Sequence, residues 1–140
     1  MTVHQQIVKA IGAHGLWKSR LHKAIEEGAS SVSAAEARQD NQCDFGKWLY
    51  GGDLTAEVKR SPHYEECRRL HRDFHLAASK VLTLALSNKK TEATHAMSTD
   101  SEFAGVSFAL TKAMMDWDKV APHYRLKEAA FRGGRAALAS

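Results

Sequence analysis

Apolar side chains in this chain return at steps of three and four, and runs with a period of two are absent, so the pattern predicts helices throughout. From Val3 to about Glu27, Ile7, Ile11, Leu21 and Ile25 fall on one stripe, and the stripe position between them is His14. Gly28 supplies the stop, and GASS begins a connection. Ser33 and Glu36 have the spacing of a capping box, which predicts one or two turns before RQDNQ breaks the pattern. In CDFGKWLYGG, the positions of Phe45, Trp48 and Leu49 predict a short amphipathic helix ended by Gly51-Gly52. Ser61-Pro62 is the clearest start, an N-cap followed by proline at the first helical position, and the helix it opens should run to about Leu86. Its inward stripe reads Cys67, His71, Phe74, Ala78, Val81 and Ala85. A last long helix is predicted from near Thr91, with Phe103, Val106, Leu110, Ala113, Met114 and Trp117 inward, weakening before Pro122. Long helices with a short one inserted predict an all-α fold, an antiparallel four-helix bundle over residues 1–122, followed by a helical extension or linker tail over 123–140.

Composition narrows the class. The 140 residues, 44% apolar and 26% charged, suit one globular domain with a core. The formal charge of +4 is spread among interleaved acids and bases, so it reads as a solvated surface and predicts no nucleic-acid partner. The N-terminus lacks the apolar stretch of a signal peptide, and no run of about 18 apolar residues predicts a membrane span. Two cysteines, Cys43 and Cys67, are too few for a secreted disulfide framework, which points to a reducing, cytoplasmic setting.

The candidate chemistry lies in residues that interrupt the apolar stripes. His71 and His75 are one turn apart, about 40° from eclipsed and about 6 Å along the axis, a chelating spacing. They end a longer series in which His63, Cys67, His71 and His75 follow one another by four. Drift across that series reaches about 120° over about 18 Å, so with zinc bonds of about 2.0 to 2.3 Å only adjacent members can share an ion. Which pair does so is left open by the spacing. His14 alone reads as a core histidine bonded to a nearby polar group, and Cys43 alone as a small buried hydrophobe. Taken together, these positions favour a site of three imidazoles and one thiolate, a donor set suited to Zn²⁺.

H-x-x-W at His14–Trp17, C-x-F-G-K-W-L at Cys43–Leu49 and H-x-x-x-H at His71–His75, in this order and at these separations, resemble the chemoreceptor zinc-binding (CZB) domain family over about residues 5 to 120. The resemblance implies His14, Cys43, His71 and His75 as zinc ligands and leaves His63 and Cys67 as helix residues near the site. It implies a regulatory module of bacterial signalling proteins, commonly a homodimer, serving a chemoreceptor or diguanylate cyclase output domain in cis or in trans. Associated signals are zinc and oxidants such as hypochlorous acid, with Cys43 as the redox-sensing group.

Four protein donors would close a tetrahedron, and no H-E-x-x-H is present, so the sequence predicts a sensor and not an enzyme. The remaining readings are a purely structural zinc-stapled dimerisation module and a metal hydrolase with water in place of Cys43. Around the site, Trp17 and Trp48 are expected to pack and limit solvent. Asp40 is expected either to tune the Cys43 sulfur or to cap the short helix. Asp73 reads as a surface residue or a partner of a ligand, and Met114, Met115 and Trp117 as apolar surface available to a dimer.

Overall fold

The computed structural model describes residues 2–121. It contains α1 (Val3–Glu27), α2 (Ala34–Ala37), α3 (Asp44–Tyr50), α4 (Ala56–Lys59), α5 (Pro62–Leu86), α6 (Lys90–His95) and α7 (Glu102–Val120), with no strand among the described residues. The predicted tail over 123–140 lies outside the described residues.

The ends of the long helices follow from local chemistry. Thr2 and Gln5 form a capping box at the start of α1, and Gly28 takes the left-handed conformation (φ 67°) that closes it. Ser61 accepts from the Tyr64 amide at 3.2 Å and starts α5 ahead of Pro62. Each helix then turns its apolar stripe inward, with Ile7, Leu21, Phe74, Val81, Leu110 and Trp117 fully buried.

One expectation fails at the last helix, which is two helices and not one. α6 ends at His95, and α7 begins only after Ser101. Side chains of the Met97–Ser101 segment take up backbone and neighbouring polar groups: Ser101 Oγ donates to the Ser98 carbonyl at 2.7 Å and accepts from the Ala104 amide. Such local bonds offer the backbone an alternative to continued helix.

Four legs make the bundle, and the second is broken into short pieces. α1 runs one way and α2–α4 return. Ser79 Oγ donates to the Ala34 carbonyl at 3.0 Å, His75 Nδ1 reaches the Ala37 carbonyl at 2.8 Å and Tyr64 Oη donates to the Leu49 carbonyl at 2.7 Å. These rungs descend α5 as the chain ascends from α2 to α3, so this leg is antiparallel to α5. α1 and α5 consequently run in the same direction, with His14 against Phe74 at one level and Gly28 beside Asn88 at the end. α7 opposes both, since Phe103 lies against Phe74, Trp117 against Tyr64, and His4 meets Asp118 at 2.7 Å.

α4 is an element the periodicity missed. Four residues are too few to show a period, although Thr55 caps it by accepting from the Val58 amide. Met114 and Trp117 are not surface, being 1% and 0% exposed, so of the three residues expected to offer a dimer face only Met115 is open. No described helix is long and apolar enough to cross a membrane.

Candidate metal centre

α5 places His71 and His75 on successive inward turns, 5% and 3% exposed, with their Nε2 atoms 3.1 Å apart. The Ala37 carbonyl at the end of α2 fixes the His75 tautomer: Nδ1 carries the proton and donates, so the Nε2 lone pair faces His71. The third donor comes from the returning leg. Cys43 is the N-cap of α3, its Sγ accepting from the Gly46 amide at 3.3 Å while lying 3.4 Å from His71 Nε2 and 3.7 Å from His75 Nε2.

Gly46 makes this position possible. A Cβ there would sit 1.8 Å from the Asp40 carbonyl oxygen and 2.8 Å from its carbon, so the loop before Cys43 folds onto α3 only because residue 46 has no side chain.

Cys43, His71 and His75 are the one group of three metal-donor side chains whose ligand atoms converge among the described residues, all within 4.8 Å of one another. Bonds of about 2.0 to 2.3 Å at tetrahedral angles put neighbouring donors roughly 3.3 to 3.6 Å apart. The observed 3.1, 3.4 and 3.7 Å separations fit donors sharing one ion of that kind.

His14 lies beside this group without joining it. It lines the same cavity of about 190 Å³ as Cys43, His71 and His75, and its ring centroid is 4.3 Å from that of Phe74. Its Nε2, however, is 2.7 Å from Ser107 Oγ on α7, and its Nδ1 is buried without a hydrogen-bond partner. His71 Nδ1 is also buried and unpartnered.

The electrostatics favour metal donors in their free-base form. Burial, with help from Lys18 and His75, lowers the His14 pKa to about 4. Burial and the neighbouring His75 lower that of His71 to about 3. His75 is lowered by burial as well, against the opposing pull of the Ala37 carbonyl and Asp40. At neutral pH no proton competes for these lone pairs. The Cys43 thiol is different: burial pushes its pKa up, and the amides of Gly46 and Phe45 only partly oppose this.

These shifts carry a pH prediction for the metal-free protein. The unfolded imidazoles take up protons near 6.5, whereas the folded ones resist until about 4 and 3. Between those values the unfolded chain binds more protons, so stability falls as pH drops. Urea unfolding without metal should lose on the order of a few kcal/mol between about pH 6.5 and pH 4. A His14→Phe/His71→Phe double variant should lose less over the same interval.

Other residues singled out from the sequence take various places. Trp17 meets His75 edge-on at 5.8 Å between ring centroids and carries the Arg20 guanidinium 5.3 Å over its own ring. Trp48 belongs to the core, between Phe45 and Trp117. Asp40 does not cap the short helix, because the Cys43 sulfur already occupies that role. Its carboxylate instead accepts from Tyr50 Oη at 2.5 Å, and its charge pushes the Cys43 thiol pKa further upward. Asp73 pairs with Arg69 and Arg72, each at 3.5 Å. Cys67 is fully buried with its pKa pushed up to about 12, and neither it nor His63 is in the donor group.

Two contributors escaped the sequence reading. Ala37 acts through its carbonyl, which leaves no trace in residue type. Ser107 had a signal, as the hydroxyl residue between Phe103 and Leu110 on the inward stripe of α7.

No curated protein and no solved structure matches the chain. The model of the chemoreceptor zinc-binding domain family matches residues 14–82, which takes in all three motifs but is shorter than the expected span of about residues 5 to 120, ending within α5 and leaving α6 and α7 beyond it. Those residues include His14 and the converging Cys43, His71 and His75, so the segment that carries the donors is the segment that resembles the chemoreceptor zinc-binding domain family.

Proposed function

We propose that this chain is a regulatory zinc-binding module that reports zinc, an oxidant such as hypochlorous acid, or both to a bacterial signalling output. Cys43, His71 and His75 would hold the ion, with His14 as the fourth donor. The observation that carries this reading is the convergence of one sulfur and two imidazole nitrogens at separations of 3.1 to 3.7 Å, inside the segment matched by a zinc-binding family.

Bound zinc supplies the positive charge that keeps the Cys43 sulfur a thiolate, without redox chemistry of its own. The protein's residues do the rest. Ala37 holds His75 in its donor tautomer, Gly46 orients the sulfur, and Trp17 covers the His75 edge of the cavity. Cys43, half-buried and not sealed in, is reachable by a small oxidant. Hypochlorous acid transfers its oxygen to the thiolate, forming the S–O bond of a sulfenic acid and releasing chloride, and the oxidised sulfur is a poorer donor. The leg carrying α3 is then freed from α5. A chemoreceptor or diguanylate cyclase domain, in cis or in trans, would receive that change, with a homodimer as the working unit. With all four donors from protein, no position remains for a reactive water, and no catalysis is assigned.

Addition of stoichiometric hypochlorous acid to the zinc-loaded protein tests this. About one zinc per chain should be released into a colorimetric chelator while the far-ultraviolet circular dichroism stays helical, and dithiothreitol should restore binding. Release accompanied by unfolding would favour the structural staple, and no release would remove the oxidant from the proposal.

A further inference from the structure

A neutral imidazole has one N–H and one lone pair, so the nitrogen that a ring commits to a protein partner decides which is left for an ion. At His75 the Nδ1 proton goes to the Ala37 carbonyl, and at His71 the Nε2 atom faces the group, 3.1 Å from that of His75 and 3.4 Å from the Cys43 sulfur. His14 is arranged the other way round. Its Nε2 is 2.7 Å from the Oγ of Ser107, a residue only 2% exposed on α7, and its Nδ1 is buried with no hydrogen-bond partner. The ring stands outside the converging three but lines the cavity they share.

We infer that Ser107 is a positioning residue for the metal centre: its Oγ accepts the His14 Nε2 proton, which leaves Nδ1 as the nitrogen through which His14 serves as the fourth donor. The inference rests on the proposed centre. The opposite tautomer, with Ser107 donating to Nε2, puts a proton on a buried Nδ1 that has no acceptor, a cost the first tautomer avoids when a cation meets the lone pair. Ligating histidines are commonly oriented by a carboxylate, carbonyl or water at the outward nitrogen. Here a serine takes that part, from a helix beyond the matched residues 14–82. His14 and His75 then enter the centre as opposite tautomers. A ring bound through Nδ1 must keep its proton on Nε2, whereas an unbound ring can take either tautomer, so loss of the hydroxyl falls on the bound form and weakens binding.

Ring ¹H–¹⁵N correlation spectra of the zinc-loaded protein test this, together with zinc affinities from chelator competition on the wild type, Ser107→Ala, His14→Ala and the double variant. The spectra should show His14 protonated at Nε2 and metal-bound at Nδ1, and His75 the reverse. Ser107→Ala should bind zinc about 10- to 100-fold more weakly, the range for losing the partner of a ligating histidine. In the His14→Ala background the same change should have no effect, an interaction that a packing role for Ser107 would not produce. His14 bound through Nε2, His14→Ala with wild-type affinity, or Ser107→Ala with unchanged or tighter binding overturns the inference while the centre of Cys43, His71 and His75 stands. Absence of zinc binding by the wild type overturns the centre itself, and the inference with it.

Discussion

Replacing Cys43 with Ser, or His71 with Ala, is expected to take the zinc content of the purified protein from one ion per chain to nearly none by elemental analysis. Both residues supply atoms of the converging group, where each is within 3.7 Å of the other donors. What would remain, two of the converging donors with His14 outside their group, makes a poor substitute. Structural zinc contributes on the order of 10 kcal/mol to folding, so these variants, and the wild type after chelation, should unfold at markedly lower temperature. They should nonetheless fold, because the contacts of Phe74, Leu82, Leu110 and Trp117 between the long helices do not depend on the centre. Cys67→Ala is the control: its sulfur is fully buried, more so than that of Cys43, but lies outside the donor group, so zinc content should stay at one ion per chain. A Cys43→Ser protein with full zinc occupancy would refute the assignment of the sulfur.

Gly46→Ala should have the next largest effect, although residue 46 offers no donor. An added methyl would stand 1.8 Å from the Asp40 carbonyl oxygen, a backbone atom that cannot swing aside as a side chain would, so the segment before Cys43 must move away from α3. That displacement costs about 1 to 3 kcal/mol, the range for overpacking a tight site. It also carries the sulfur off, since Cys43 lies in the displaced segment and is positioned by the Gly46 amide. Zinc affinity should fall at least about tenfold, a loss of roughly 1.4 kcal/mol at the centre. Gly12→Ala, where nothing lies within 4 Å, should instead stabilise α1 by about 1 kcal/mol. If chelator competition gave Gly46→Ala the wild-type affinity, the close approach would not be what positions the sulfur.

The long helices α1 and α5 were legible because each carries a periodic stripe and a strong end signal, Gly28 closing α1 and Ser61-Pro62 opening α5. Val3–Glu27 and Pro62–Leu86 emerge from those signals alone. Where only one signal exists, reading fails. α4 has a capping threonine and no period, and the break between α6 and α7 is made by serine hydroxyls in a short polar stretch, Ser98–Glu102, through which the sequence reading carried one helix. The converging donors stood out as polar residues on apolar stripes. The relation of His14 to Ser107 did not, because it depends on the level at which α1 and α7 pass each other, which no local pattern records. Asp40 shows a similar limit. An acidic residue before a helix reads as a cap, but the sulfur three residues later reached the amide first.

The returning leg also sets an order of events during folding. His71 and His75 are adjacent turns of α5 and are ready as soon as that helix exists, whereas Cys43 joins them across 28 and 32 residues of chain. On the proposed centre, a nascent protein would offer a divalent ion only a loose two-nitrogen clamp until the broken leg docks. Capture would then be early and exchangeable, retention late, and release would be set by the peeling of that leg from its neighbour.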